Sequence, residues 1–372
     1  MSSQANAQQR GEERAPGGWT IAVIGGDGIG PEVVEVGVQV LEALAERHGW
    51  RLRLERLDLG AERYLRDGTT MPEETLRFIR EECDAVLLGA LGDPRVPDMR
   101  HARDILFGLR FGLDLYCNIR PVECLSDRLM PLKGYAAADC DFVVFRENTE
   151  GIYVGMGGNF KPGTPDEVAI NEDVNTRKGV ERIVRAAFDY ARRTGRRRVH
   201  MADKSNAMQY AHGLWKRTFF EVAEAYPEID AEHVYVDALC LYLVQDPRPF
   251  EVIVTCNLFG DIVTDLAAAL QGGLGMAASA NVHPGRVSMF EPVHGSAPPL
   301  AGRDVANPLA TVLTVGQMLA HLGHPEQERL LTALLREAIE TGNCTEDVGG
   351  RLGTRATGRW LLERIAEGFE AG

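Results

Sequence analysis

The stretch PFEVIVTCNLFGDIVTDL, Pro249 to Leu266, sets the reading of the whole chain. Val252, Ile253 and Val254 are β-branched and uncharged, as in a strand buried inside an α/β sheet. The apolar run ends at Thr255. After Cys256 and Asn257 the pattern turns helical, so Asp261 and Asp265, four apart, project from one helix face. No lysine or arginine lies near them in sequence to offset their repulsion. Two explanations fit: acids favoured at a helix's positive end, or carboxylates gathered for a hard divalent ion, Mg²⁺ or Mn²⁺.

Composition narrows the classes. With 372 residues, 45% hydrophobic and 25% charged, the chain can bury a large core and is expected to split into two lobes. A net charge of −14 argues against nucleic acid, and the basic run RRTGRRRV near Arg192 to Arg198 reads as a solvated helix end. Seven cysteines occur singly, without CxxC or metal-ligand spacing, which points to a reducing cytoplasm. No signal peptide or apolar run of membrane-spanning length is apparent, so no membrane partner is expected. Lysine is confined to Lys133, Lys161, Lys178, Lys204 and Lys216. A lysine in an apolar setting therefore draws notice, because it can give up a proton where arginine cannot.

Along the chain, residues 1–18 are polar and aperiodic and read as a disordered tail. Trp19 to Ile24 reads as a strand, GGDGIG (25–30) as a tight turn, and Pro31 as the opening of a helix. A strand Asp84 to Gly89 continues the β-α rhythm of a parallel sheet. Arg110 falls on a helix with Ile105, Leu106 and Leu109, Arg120 at the end of a strand Leu115 to Ile119, and Arg146 just after a strand Phe142 to Phe145. Taken singly each is a surface charge; together they make a clamp for carboxylates. GMGGNFKPGTP, Gly155 to Pro165, reads as an irregular excursion. Lys204 falls at the carboxyl edge of a strand Arg198 to Ala202, and Asp237 at the end of a strand Val234 to Val236. LAAALQGGLGMAASANV reads as a helix plus turn, and His294 lies in a loop.

Together GDGIGPE (26–32), RENTEGIY (146–153), DKSNA (203–207), NLFGDIVTDLAA (257–268) and EPVHGSAP (291–298) resemble the β-decarboxylating dehydrogenases, the isocitrate/isopropylmalate dehydrogenase family that also holds homoisocitrate and tartrate enzymes. The resemblance runs from Ile21 to the C-terminus. It implies an α/β, two-lobed fold with a large mixed sheet, not a Rossmann fold: residues 19–117 plus 272–372 form a cofactor-binding lobe, and 118–271 a substrate and dimerisation lobe with an arm at 155–173. It also implies a homodimer with shared active sites. Asp261, Asp265 and a partner's Asp237 would hold Mg²⁺ or Mn²⁺. Arg110, Arg120 and Arg146 would clamp the 2-hydroxy acid, with Leu106 and Phe107 lining its substituent. A partner's Lys204 would take the hydroxyl proton and Tyr153 would protonate the enol. Ile29, His294, Gly295, Ser296, Ala297 and Asn307 would hold the dinucleotide.

Departures bear on cofactor and substrate. Where relatives using NAD place an acid on the ribose, this chain has Pro299, and the lysine and tyrosine of relatives using NADP are Pro299 and Leu300. NAD is the expectation, with Arg351 and Arg355 the residues that could reverse it. The apolar Leu106 and Phe107 favour an alkyl-malate, 3-isopropylmalate, over isocitrate, whereas DKSNA and GMGG lean toward tartrate or D-malate enzymes. A silent regulatory subunit is the rival from another class.

Overall fold

The computed structural model describes residues 18–370, so the proposed tail, apart from Gly18, lies outside the described residues. The fold is α/β, and the chain divides into two compact units. One comprises residues 1–115, 125–129 and 272–372; the other comprises 116–124 and 130–271.

In the first unit, β1 (Gly18–Ile24) leads to α1 (Gly30–His48), β2 (Arg51–Arg56), α2 (Ala61–Asp67), α3 (Glu73–Glu82), β3 (Ala85–Leu88) and α4 (Arg100–Gly112). In the second, β4 (Cys117–Glu123), β5 (Asp141–Glu147), the pair β6 (Gly157–Phe160) and β7 (Val168–Asn171), α5 (Arg177–Thr194), β8 (Arg198–Asp203), α6 (Ala211–Ala223), β9 (Asp230–Tyr235), α7 (Val236–Gln245), β10 (Val252–Thr255) and α8 (Asn257–Leu270) follow. The chain then returns to the first unit with β11 (Ala278–Val282), β12 (Ser288–Pro292), α9 (Leu309–His321), α10 (Pro325–Thr341) and α11 (Thr354–Ala366).

Strand order is β2-β1-β3-β12-β11 in the first unit and β4-β5-β10-β8-β9 in the second. In these strand orders the β11/β12 and β4/β5 pairs are antiparallel and the other ladders within each unit are parallel, so the sheet is mixed, as the resemblance implied. Among the parallel strands, the inner Ala85–Leu88 and Val252–Thr255 are apolar and buried throughout, whereas the edge strands β2 and β9 are charged and partly exposed.

Several sequence expectations are corrected. The strand placed at 115–119 is β4, running on through Pro121 to Glu123, so Arg120 sits mid-strand. A proline forfeits one donor only, and the antiparallel ladder with β5 closes on either side of it. Arg146 likewise lies inside β5. Asp237 belongs to the first turn of α7, whose dipole favours an acid there, and not to a strand end. The excursion at 155–165 contains strand β6, paired antiparallel with β7; every residue of both strands is exposed, which hid any alternation of burial in the sequence. The segment read as helix plus turn also contains β11, whose small residues Ala278, Ser279 and Ala280 carry no β-branched signal.

Candidate active site

Register places the site. In the second unit, Thr255 at the end of β10 stands beside Arg146 of β5 and Ala202 of β8, while Asp203 stands beside Tyr235 of β9. The carboxyl ends of these parallel strands therefore deliver Arg146, Lys204, Asp237 and the start of α8 to one edge, where ligands collect in α/β proteins.

Arg146 is 2% exposed. Its Nε donates to the Asn257 carbonyl (2.8 Å), its Nη2 to Asn257 Oδ1 (2.8 Å) and its Nη1 to Asp261 Oδ1 (2.6 Å). The Tyr153 hydroxyl donates to the other oxygen, Asp261 Oδ2, at 3.0 Å, and the Arg146 guanidinium carbon lies 5.5 Å from the Tyr153 ring centroid. Gly260 lets the arginine stem pass, because a Cβ there would fall 2.4 Å from Arg146 Cγ. Arg120, 6% exposed, donates Nη1 to Thr264 Oγ1 (2.5 Å) and Nε to Asn118 Oδ1 (2.9 Å).

Asp265 reaches solvent, yet its carboxyl is held above the ordinary aspartate range, first by desolvation and then by the charge of Asp261, with Arg120 and Arg146 opposing. Asp261 and Asp265 offer carboxylate oxygens, the donor type that Mg²⁺ or Mn²⁺ takes. Among the described residues no group of three or more His, Cys, Asp or Glu side chains is placed to hold a metal. The third acid named in the sequence, Asp237, is engaged elsewhere: Lys204 Nζ donates to its Oδ1 at 2.5 Å and keeps its carboxyl below the usual range. Lys204 is fixed from behind, its backbone N–H donating to His212 Nδ1 at 3.0 Å.

Asn257, Thr264 and His212 were not singled out in the sequence. Only Asn257, immediately before the LFGD run, carried a local hint.

In the first unit Arg110 is 5% exposed, its Nη2 lies 3.4 Å from Glu291 Oε1, and its Nε is buried without a partner. Leu106 and Phe107 are half-buried on the same helix, and Phe107 stacks on Phe111 with ring centroids 5.5 Å apart. Of the cofactor candidates, Ile29, Ser296 and Ala297 come together. The Ile29 N–H donates to the Ser296 carbonyl at 2.8 Å, and at Gly28 (φ +56°) a Cβ would sit 2.0 Å from that oxygen. Ile29 packs with Val33, Ala306 and Ala297. Asn307 donates to Asp347 Oδ2 at 2.9 Å. His294 Nδ1 lies 3.1 Å from the Gly295 carbonyl, which can only accept, so Nδ1 carries the proton. Nε2 remains a buried acceptor without a protein partner, and burial holds this imidazole below the usual histidine range. Such an orphaned acceptor fits a donor group on a dinucleotide.

A family model described as isocitrate/isopropylmalate dehydrogenase matches residues 20–361. The chain belongs to this family. Within it, 3-isopropylmalate dehydrogenase from Thermobifida fusca is 45% identical over 93% of this chain and 98% of its own length. The enzyme of that name from Streptomyces griseus is 46% identical over 90% and 97%. Among solved structures of similar fold, isocitrate dehydrogenase from Methylococcus capsulatus superposes with a TM-score of 0.85 at 37% identity, covering 93% of this chain and 99% of the other. A Thermus thermophilus protein, TT0538, gives 0.82 at 39% identity, over 93% and 68%. The family resemblance read from NLFGDIVTDLAA and EPVHGSAP, and the mixed α/β fold it implied, are thereby met. Among the described residues no helix is long and apolar enough to cross a membrane.

Proposed function

We propose that this family member catalyses metal-dependent, NAD-linked oxidative decarboxylation of a 3-substituted malate, foremost 3-isopropylmalate to 2-oxoisocaproate. One observation carries the reading: a buried arginine and a tyrosine hold the two oxygens of Asp261 beside Asp265. When bound, Mg²⁺ or Mn²⁺ on Asp261, Asp265 and a second copy's Asp237 would supply Lewis-acid stabilisation of carbonyl and enolate charge, and NAD on Ile29, His294, Gly295, Ser296, Ala297 and Asn307 a hydride acceptor.

The chain's own residues do the rest. Arg110, Arg120 and Arg146 bind the carboxylates of the 2-hydroxy acid, each guanidinium being buried and pre-oriented. Lys204 Nζ of a second copy accepts the hydroxyl proton as the oxidation proceeds. Tyr153 then delivers its hydroxyl proton to the enol carbon once CO₂ has left. In this reading cofactor binding belongs to the first unit and substrate binding with dimerisation to the second. The exposed apolar residues Met156, Phe160, Val168 and Ile170 on the β6/β7 arm support a homodimer with shared sites. Seven cysteines, none of them in a disulfide, accord with a reducing cytoplasm.

The Phe107–Phe111 stack favours a second reading, since a phenyl ring narrows room for a branched group: a tartrate or D-malate dehydrogenase. A panel of 2-hydroxy acids with NAD or NADP and Mg²⁺ or Mn²⁺, followed by nicotinamide absorbance, separates these. Turnover is expected with 3-isopropylmalate and NAD. Turnover of tartrate or D-malate alone would favour the second reading, and no turnover of any malate derivative would leave a silent regulatory subunit.

A further inference from the structure

The carboxylate of Asp27 is a buried group that none of these steps uses. It is 5% exposed, and three donors from three separate segments converge on it. The Ala61 N–H, opening α2, donates to Oδ1 at 2.6 Å. The Gly92 N–H, in the loop after β3, donates to Oδ2 at 2.7 Å. His101 Nε2, in the first turn of α4, lies 2.9 Å from Oδ2. A carboxylate can only accept, so the imidazole proton sits on Nε2. Nδ1 is buried without a partner. His101 itself is fully buried.

The surroundings are built tightly about this group. The Asp27 N–H donates to the Ala90 carbonyl at 2.7 Å. A Cβ on Gly26 (φ +74°) would fall 2.1 Å from that same oxygen, and one on Gly60 (φ +153°) would fall 2.7 Å from Asp27 Oδ1. The N-cap residue of helix α4, Met99, is in the left-handed region and caps nothing with its side chain. The start of the helix is held by the His101 imidazole together with Asp98, whose Oδ1 accepts from the Arg100 N–H at 3.1 Å. His101, Ile105 and Leu109 form one buried stripe at spacing four. Each helical residue rises ~1.5 Å, so a shift at His101 is carried to Leu106, Phe107 and Arg110 within roughly 14 Å.

We propose that Asp27 and His101 are positioning residues: one buried carboxylate ties the turn bearing Ile29 to the helix bearing Leu106, Phe107 and Arg110. Cofactor turn and substrate helix are thereby held in one register. This rests on the reading of Arg110 as a carboxylate ligand, so the test has an arm that does not need turnover.

The variants are His101→Leu, apolar and close in size; His101→Gln, which keeps a donor; and Asp27→Asn, with His101→Leu deciding the matter should Asp27→Asn fail to fold. In kinetics with 3-isopropylmalate, NAD and Mg²⁺, His101→Leu raises KM for the hydroxy acid about tenfold with kcat changed much less, and His101→Gln restores most of it. In hydrogen exchange, amides of Asp104 to Arg110 lose protection about tenfold in His101→Leu, while those of α9 keep theirs. A merely structural role would lower the melting temperature and leave both readouts unmoved, and that result overturns the proposal. If wild type turns over no malate derivative, the functional reading fails and the exchange measurement alone still decides the register.

Discussion

Replacing Arg146 by lysine tests the centre of the site, because the charge is kept and only the fork is removed. The guanidinium spans Asn257 O, Asn257 Oδ1 and Asp261 Oδ1 with three different nitrogens, at 2.8, 2.8 and 2.6 Å. One ammonium nitrogen cannot reach all three. Asn257 is 1% exposed, so water could not replace the two hydrogen bonds lost, although its carbonyl keeps an intrahelical N–H donor. At about 1–2 kcal/mol for each such loss, the cost is ~2–4 kcal/mol. The ion pair with Asp261 adds little, since that side chain is 42% exposed and screened. With roughly 2–4 °C of melting temperature per kcal/mol, Arg146→Lys should melt about 4–16 °C below wild type by calorimetry. Asp261 Oδ1 would also lose its anchor, so kcat/KM should fall about 100-fold or more in the nicotinamide absorbance assay. A variant melting within about 1 °C of wild type, with kcat/KM within about twofold, would refute the claim that the fork organises the site.

Lys204→Ala and Asp261→Ala should each be inactive alone and regain partial activity when mixed under subunit exchange, since one hybrid site keeps both groups; proven exchange without recovery would count against shared sites. Glu147 is buried, and burial first of all lifts its carboxyl above the usual 4.5. Above pH 4.5 an unfolded chain releases this proton while the folded chain retains it, so wild type loses stability as pH rises through the window between 4.5 and the folded value. Denaturant midpoints of Glu147→Gln should lack that slope, and an unchanged slope would show that another group causes it. His294 titrates below 6.5 because it is buried, so binding that uses its neutral Nε2 is present above that pH and lost as pH falls through the folded value. The Kd for NAD, measured by fluorescence, should therefore weaken on acidification, and His294→Asn should bind weakly at every pH.

Much of the fold was legible because the relevant signals are local. The switch from β-branched run to helical period at Thr255 to Asn257 is the observed end of β10 and start of α8. Boundaries failed where the chain has no period to read: β6 and β7 are wholly exposed, and β11 is built of small residues. Arg120 was misplaced because a following proline is a local stop signal that an antiparallel ladder can override.

Sequence by itself determined which residue types stand on which faces, and through NLFGDIVTDLAA and EPVHGSAP the family. Which of them meet was decided by tertiary structure. Arg146 and Asp261 are 115 residues apart and meet because β5 and β10 pair in parallel with Arg146 beside Thr255. Asp27 and His101 are 74 apart, and nothing in either one's neighbourhood names the other. A parallel pair is joined only through long crossovers, so its register is fixed by the packing of the sheet and its helices and not by any turn between the partners.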